Sequence, residues 1–294
     1  MGMIIPWRFV RQGLVPTAGE FEGVAHAILD IADREKVFKA AAILGSVARG
    51  DHHPRSDLDL ILVAHDRTYA RAQDLERRFG RLAADRGIPF DCHLLSASDA
   101  RLGRHMYGPS YMGTFPTGPT PYSIGRPLAE CFRVPETSVQ AEMLKKLEHK
   151  LHSTRTRAGI FYARYHPDPD ALESWLLSNW SRVVRPLRVH ITLARRLLWW
   201  RHGVLHDDGK AEVITRFLAE QTFAPLHEDY QALLHFDYRY DELFARAVNG
   251  RERRASYLRK VGDLLDDNFR VSLNILANAV DLTRQSSFQV EHAA

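Results

Sequence analysis

Ala41-Ala42-Ile43-Leu44-Gly45-Ser46-Val47-Ala48-Arg49-Gly50-Asp51-His52-His53-Pro54-Arg55-Ser56-Asp57-Leu58-Asp59-Leu60-Ile61-Leu62-Val63 decides the fold of this 294-residue chain. An apolar run ends at a Gly-Ser turn, a polar link follows, and a second apolar run begins with two aspartates. Residues two apart in a strand point to the same face, so Asp57 and Asp59 project together. Adjacent carboxylates repel unless a cation sits between them. An oxygen-rich site with open positions suits Mg²⁺, which keeps waters and takes further ligands from substrate phosphates.

The Gly-Ser turn supplies a complementary site. Gly45 leaves room for a phosphate to approach the backbone, and Ser46 adds a hydroxyl. The amides of Ser46, Val47 and Ala48 open a short helical turn able to hold an anion, and Arg49 adds a cation that binds phosphate bidentately. Ser56, just before the aspartates, is a candidate to orient a carboxylate or bind phosphate. His52 and His53 read as polar loop residues. Asp91 lies inside the apolar run Ile88-Pro89-Phe90-Asp91-Cys92-His93-Leu94-Leu95. A charge there costs free energy unless paired or metal-bound; Arg49 is one partner for it, a metal another, and His93 shares its face.

Gly45-Ser46 followed by Asp57-x-Asp59 resembles the signature of the DNA polymerase β-like nucleotidyltransferase superfamily. The form Gly-Ser-x-Ala-Arg-Gly-Asp…Ser-Asp-Leu-Asp-Leu is similar to its minimal nucleotidyltransferase branch, and aminoglycoside nucleotidyltransferases are more distant relatives. The resemblance covers about residues 20–95. It implies that Asp57, Asp59 and Asp91 form a catalytic and metal-binding triad for one or two Mg²⁺, and that Asp91 accepts the proton of the attacking hydroxyl. It also implies that Gly45, Ser46 and Arg49 hold the phosphates of a nucleoside triphosphate, with ATP the expected donor.

The rest of the chain sets the architecture. Thr17-Ala18-Gly19-Glu20 reads as a capping box opening an amphipathic helix to about Lys36, with Phe21, Val24, Ile28 and Ile31 on one stripe. Strands are expected at 39–44, 57–64 and 88–95. A helix capped by Asp66 runs to about Arg86, and another is capped by Ser96 to Asp99. Residues 103–127 are crowded with Gly and Pro, which predicts a loop serving as a lid or a linker. From Thr137 onward the periodicity is helical, with helices at about 138–164, 169–202 (kinked at Pro186), 210–221, 226–249 and 252–284, and stops at Gly203 and Gly250. The expected fold class is α+β: a small mixed sheet flanked by helices over 1–135, then an all-helical bundle over 136–294, with the active site between them.

Two charge patterns stand out in the helical half. Arg182 to Arg201 holds six arginines and no acid, flanked by Trp180, Trp199 and Trp200; it is either a clamp for triphosphate or RNA or a solvated helix face. Within it, Arg185-Pro186-Leu187-Arg188-Val189-His190 resembles the Arg-x4-His pattern of HEPN ribonucleases, with Pro186 where that family prefers a small polar residue. Asp207 to Glu242 holds nine acids against three basic residues and either lines a pocket for a cationic acceptor such as an aminoglycoside or forms a wet surface.

Composition narrows the class. The net charge of +4 and pI near 9.1 fall short of a dedicated nucleic-acid binder. No apolar run is long enough to span a bilayer, and Met1 to Val10 reads as no signal peptide. Cys92 and Cys131 alone make neither a disulfide framework nor a thiolate zinc site, so a reducing cytoplasm is expected. The expected activity is Mg²⁺-dependent transfer of an NMP from ATP to the hydroxyl of a small molecule such as an antibiotic. The alternatives are a toxin–antitoxin component acting on a partner protein or tRNA, a triphosphate sensor, or a ribonuclease acting through Arg185 and His190.

Overall fold

The capping box forms at the start of the first long helix. Glu20 N–H donates to Thr17 Oγ1, and Thr17 N–H donates to the Glu20 carboxylate at 2.8 Å. This opens α2 (Ala18–Glu35), after a short α1 (Trp7–Arg11). Its stripe of Phe21, Val24, Ile28 and Ile31 is buried, and Lys36 ends it in the left-handed region. The computed structural model describes residues 4–105, 108–134, 137–166, 168–178, 189–203 and 209–291. Among them, no helix is long and apolar enough to cross a membrane.

Four strands form one mixed sheet: β1 (Phe38–Leu44), β2 (Leu58–Ala64), β3 (Phe90–Ser96) and β4 (Ser123–Gly125), in the order β3-β2-β1-β4. β1 is antiparallel to β2 and β4, and β2 is parallel to β3. The central strands carry apolar residues on both faces because both faces are covered. On one face, Ala41, Ile43, Leu58, Leu60 and Leu62 pack against α2 and α4 (Tyr69–Ala84). On the other, Ala40, Ala42, Leu44, Ile61 and Val63 meet Met112, Phe115, Leu128, Cys131 and Phe132. These come from the segment containing α5 (Ala97–Arg101), α6 (Pro109–Met112) and α7 (Leu128–Cys131).

The Gly/Pro-rich segment is therefore more than a loop. It supplies the second cover of the sheet and its fourth strand. A three-residue strand is too short to show periodicity, and its pairing depends on tertiary contact. Gly125 marks where it docks: its φ is +74°, and a Cβ there would stand 2.4 Å from the Lys39 carbonyl oxygen. Asp66 also departs from expectation. It lies in a 3₁₀ turn ahead of α4, and its carboxylate accepts from the Ser98 N–H and hydroxyl, both at 2.9 Å. It thus restrains the start of α5, not of its own helix, while Ser96 caps α5 as expected.

The helical half consists of α8 (Val139–Arg164), α9 (Pro169–Ser178), α10 (Val189–His202), α11 (Lys210–Ala219), α12 (His227–Val248) and α13 (Arg254–Glu291) around one core. Gly203 and Gly250 follow α10 and α12 with positive φ, as helix-ending glycines do. The expected kink at Pro186 lies outside the described residues. The beginning of the chain packs onto this core through Ile4, Trp7 and Val10. Ile5 N–H donates to Tyr240 Oη at 2.6 Å, and Tyr257 Oη–H donates to the Ile5 carbonyl at 2.7 Å. The 2.9 Å contact between the phenols then has Tyr240 as donor. Burial pushes both phenols above their ordinary pKa.

Replacing Tyr240 by Phe leaves the buried Ile5 N–H without its acceptor. Tyr240→Phe is expected to lower stability by about 1–3 kcal/mol, read as a lower urea midpoint with unchanged helical circular dichroism.

Candidate active site

The strand register builds the acidic end of the sheet. Asp59 on β2 lies opposite Leu44 on β1 and opposite Asp91 on β3. Paired residues on neighbouring strands point to the same face, about 4.8 Å apart. That face is the one whose other end is covered by Met112, Phe115 and Phe132. Asp57, only 2 % exposed, stands at the entry to β2. His93 follows Asp91 by two residues, with its Nε2 3.7 Å from Asp91 Oδ1.

Gly45 closes β1 beside this cluster with φ +69°, and a Cβ on it would lie 2.3 Å from Asp59 Oδ2. No other residue type fits while Asp59 keeps its place. The turn that follows, α3 (Gly45–Arg49), is stapled to the polar link: Asp51 N–H donates to the Ser46 carbonyl at 3.0 Å, and Arg49 pairs with Asp51 at 3.3 Å.

A cavity of about 1030 Å³ opens over these residues. Gly45, Ser46, Arg49, Asp57, Asp59 and Asp91 all line it, as does His93. Six of the seven residues singled out in the sequence therefore share one space. Ser56 is the exception. It is fully buried, and its hydroxyl accepts from His53 N–H at 3.0 Å, so it closes the loop, and the phosphate-binding role expected for it gains no support. The adjacent histidines serve the same loop. His53 Nδ1 accepts from Arg55 N–H at 3.1 Å, and His52 Nε2 lies 3.2 Å from the Ala18 carbonyl oxygen.

Arg55 was not singled out by its sequence. It is 2 % exposed, and its guanidinium pairs with Asp237 at 3.4 Å and Asp241 at 2.5 Å, both on α12. It also lies 4.8 Å from the centroid of the Tyr240 ring. The loop that delivers Asp57 is thus tied into the helical half two residues earlier. Nothing local signals this, because the partners are more than 180 residues away.

The far side of the cavity comes from the helical half, with Lys146 and Lys150 of α8, Thr192, Arg195, Arg196 and Trp199 of α10, and Lys210 of α11. Lys210 Nζ donates to the Asp51 carbonyl at 3.4 Å, joining that wall to the link after the Gly-Ser turn. Of the arginine run, Arg195 and Arg196 face the cavity, whereas Trp180, Arg182, Arg185 and Arg188 lie outside the described residues. His190 is fully buried, edge-on to Tyr230 at 6.0 Å, with no exposure to meet an RNA phosphate. None of the described acids of the run from Asp207 to Glu242 lines the cavity, although Lys210 within it does. Asp237 and Asp241 hold Arg55, and Asp229 accepts from Asn274 at 2.6 Å. Asp207 and Asp208 lie outside the described residues.

The donor set fits a hard divalent cation. Three carboxylates converge on one cavity end, and the absent Cβ of Gly45 leaves an Asp59 oxygen clear. Among the described residues no three acidic, His or Cys side chains are spaced to enclose an ion by themselves.

Residues 27–94 match the nucleotidyltransferase-domain family. The match is consistent with the DNA polymerase β-like nucleotidyltransferase superfamily and spans Gly45, Asp57, Asp59 and Asp91. No curated protein matches the chain. The nucleotidyltransferase domain includes β1, β2 and nearly all of β3; β4 and the helical wall lie beyond it.

Two outcomes follow from this geometry. Gly45→Ala should displace Asp59 and lower nucleotidyl transfer by ~100-fold or more, with near-native circular dichroism. Arg55→Ala strands Asp237 in the interior and should destabilise the fold by ~3–5 kcal/mol, measured by chemical unfolding.

Proposed function

We propose that this protein is a Mg²⁺-dependent nucleotidyltransferase that moves an NMP from a nucleoside triphosphate, with ATP as donor, onto an acceptor hydroxyl. The observation that carries the reading is the register placing Asp91 beside Asp59, with the Gly45 corner against the same carboxylates. The active site would lie between a sheet unit within 1–135 and a helical unit, 136–294, whose core also takes up Ile4, Trp7 and Val10.

Asp57 and Asp59 would hold Mg²⁺, with Asp91 completing the set. Bound there, the ion offsets charge growing on the phosphoryl oxygens and on the leaving pyrophosphate. Gly45 lets the β- and γ-phosphates approach the backbone, while Ser46 and Arg49 hold them. Asp91 takes the proton of the attacking hydroxyl, whose oxygen adds in line to the α-phosphorus as the bond to pyrophosphate breaks. His93, 3.7 Å from Asp91, helps orient that carboxylate. A reducing, cytoplasmic setting agrees with the two unpaired cysteines.

Among acceptors, a cationic antibiotic gains least support, since the lining residues of α8, α10 and α11 include five cations and no acid. A partner macromolecule, as in the toxin–antitoxin reading, fits that wall better. Ribonuclease action through His190 gains none, given its burial.

Incubation with each radiolabelled triphosphate and Mg²⁺ is expected to label an acceptor in a cell lysate. Asp57→Asn and Asp59→Asn should fold normally and transfer roughly a thousand-fold more slowly, equivalent to about 4 kcal/mol. EDTA should abolish transfer and added Mg²⁺ restore it; wild-type rates in either variant would remove the assignment.

A further inference from the structure

We propose that the cavity wall made by α8 and α10 is an anion-binding subsite that receives the acceptor through a phosphate ester close to its reactive hydroxyl. The inference rests on the transferase reading above and names the acceptor class that reading leaves open.

The placement is one-sided. Lys146 and Lys150 are one turn apart on α8, and Thr192, Arg195, Arg196 and Trp199 recur at helical spacing on α10, which packs against α8. From Thr192 to Trp199 the stripe runs about 10 Å along the helix axis. Lys210 extends it toward the Gly-Ser turn. Among the described lining residues the acids are Asp57, Asp59 and Asp91, at the catalytic end.

Arg196 sits where the two helices meet. Its Nη1 donates to the Lys146 carbonyl at 2.9 Å. Burial pulls its pKa down to about 10, and only the field of Glu142 opposes that shift. A half-buried guanidinium at the cavity wall, bonded through Nη1 to a neutral carbonyl oxygen, gains from an arriving anion. A cationic acceptor would instead meet like charge.

Space also permits it. At about 1030 Å³ the cavity sits at the top of the ~300–1,000 Å³ range of sites that enclose one small ligand. The donor's phosphates are served from the sheet side by Gly45, Ser46 and Arg49. The opposite wall is thus available to a second substrate, and Trp199 offers it a stacking face.

The test is equilibrium binding without nucleoside triphosphate and with EDTA, so that no transfer occurs. The probes are a 5′-fluorescein oligoribonucleotide with a free 3′-hydroxyl, a nucleoside monophosphate, a sugar phosphate, and an aminoglycoside as the cationic control. The oligoribonucleotide is expected to bind with log K falling against log salt by about 0.7 per phosphate contacted. Lys150→Glu with Arg195→Glu should weaken it at least 30-fold, whereas the surface reversal Arg77→Glu on α4, outside the cavity lining, should change it less than twofold. Saturable binding of all phosphorylated probes assigns the subsite to free phosphate esters, and binding of the oligomer alone assigns it to a nucleic-acid end; both support the proposal. Equal or tighter aminoglycoside binding would overturn it, as would insensitivity to charge reversal or an equal loss of ATP affinity in the charge-reversed protein. If label is transferred to an aminoglycoside and to no phosphate ester, this inference falls and the transferase reading stands. If the phosphate probes bind as described but no triphosphate is ever transferred, the transferase reading falls and the subsite stands.

Discussion

Asp59 holds its place through two registers at once, opposite Leu44 on one side and Asp91 on the other. A one-residue slip against either neighbour would turn its carboxylate to the face packed by α2 and α4. The apolar residues of the same strands prevent that slip. Leu58, Leu60 and Leu62 belong to one core, Ile61 and Val63 to the other. The hydrophobic pattern of β2 therefore does more than fold the sheet. It selects the face on which the acids gather, and the missing Cβ of Gly45 leaves room for them there.

A second constraint acts between the sheet and the helical half. Arg55 is a buried charge, and burying one is costly unless it is paired and hydrogen-bonded. Asp237 and Asp241 meet that requirement, and the ring of Tyr240 lies close by. Stability is not the natural explanation for such a pair, since apolar residues of similar volume often serve as well. What the pair adds is position. It fixes the segment entering Asp57 to α12, so the acidic end of the sheet and the basic wall of the helical half keep their mutual placement.

The elements with local causes were legible in the sequence. The capping box at Thr17, the strands around Gly45-Ser46 and Asp57-x-Asp59, the cap at Ser96 and the glycine stops at 203 and 250 each depend on a few adjacent residues. Asp91 was legible because a carboxylate inside an apolar strand demands a reason. Contacts made across the fold were not legible. β4 exists only by pairing with β1, and Asp66 restrains a helix more than thirty residues away. Ser56 has the composition of a phosphate ligand yet spends its hydroxyl on the loop. The acidic run from Asp207 to Glu242 reads equally as a pocket or a surface, because the Arg55 that meets Asp237 and Asp241 is distant in sequence.

The hydrogen bonds joining Ile5 to Tyr240 and Tyr257 change how the molecule is tethered. The sheet is spliced between two stretches that both belong to the helical core, the residues around Ile5 before it and α8 after it. A unit hung from one strand of chain can swivel freely. One moored at both ends has far less freedom to turn, which helps keep the two walls of the cavity aligned.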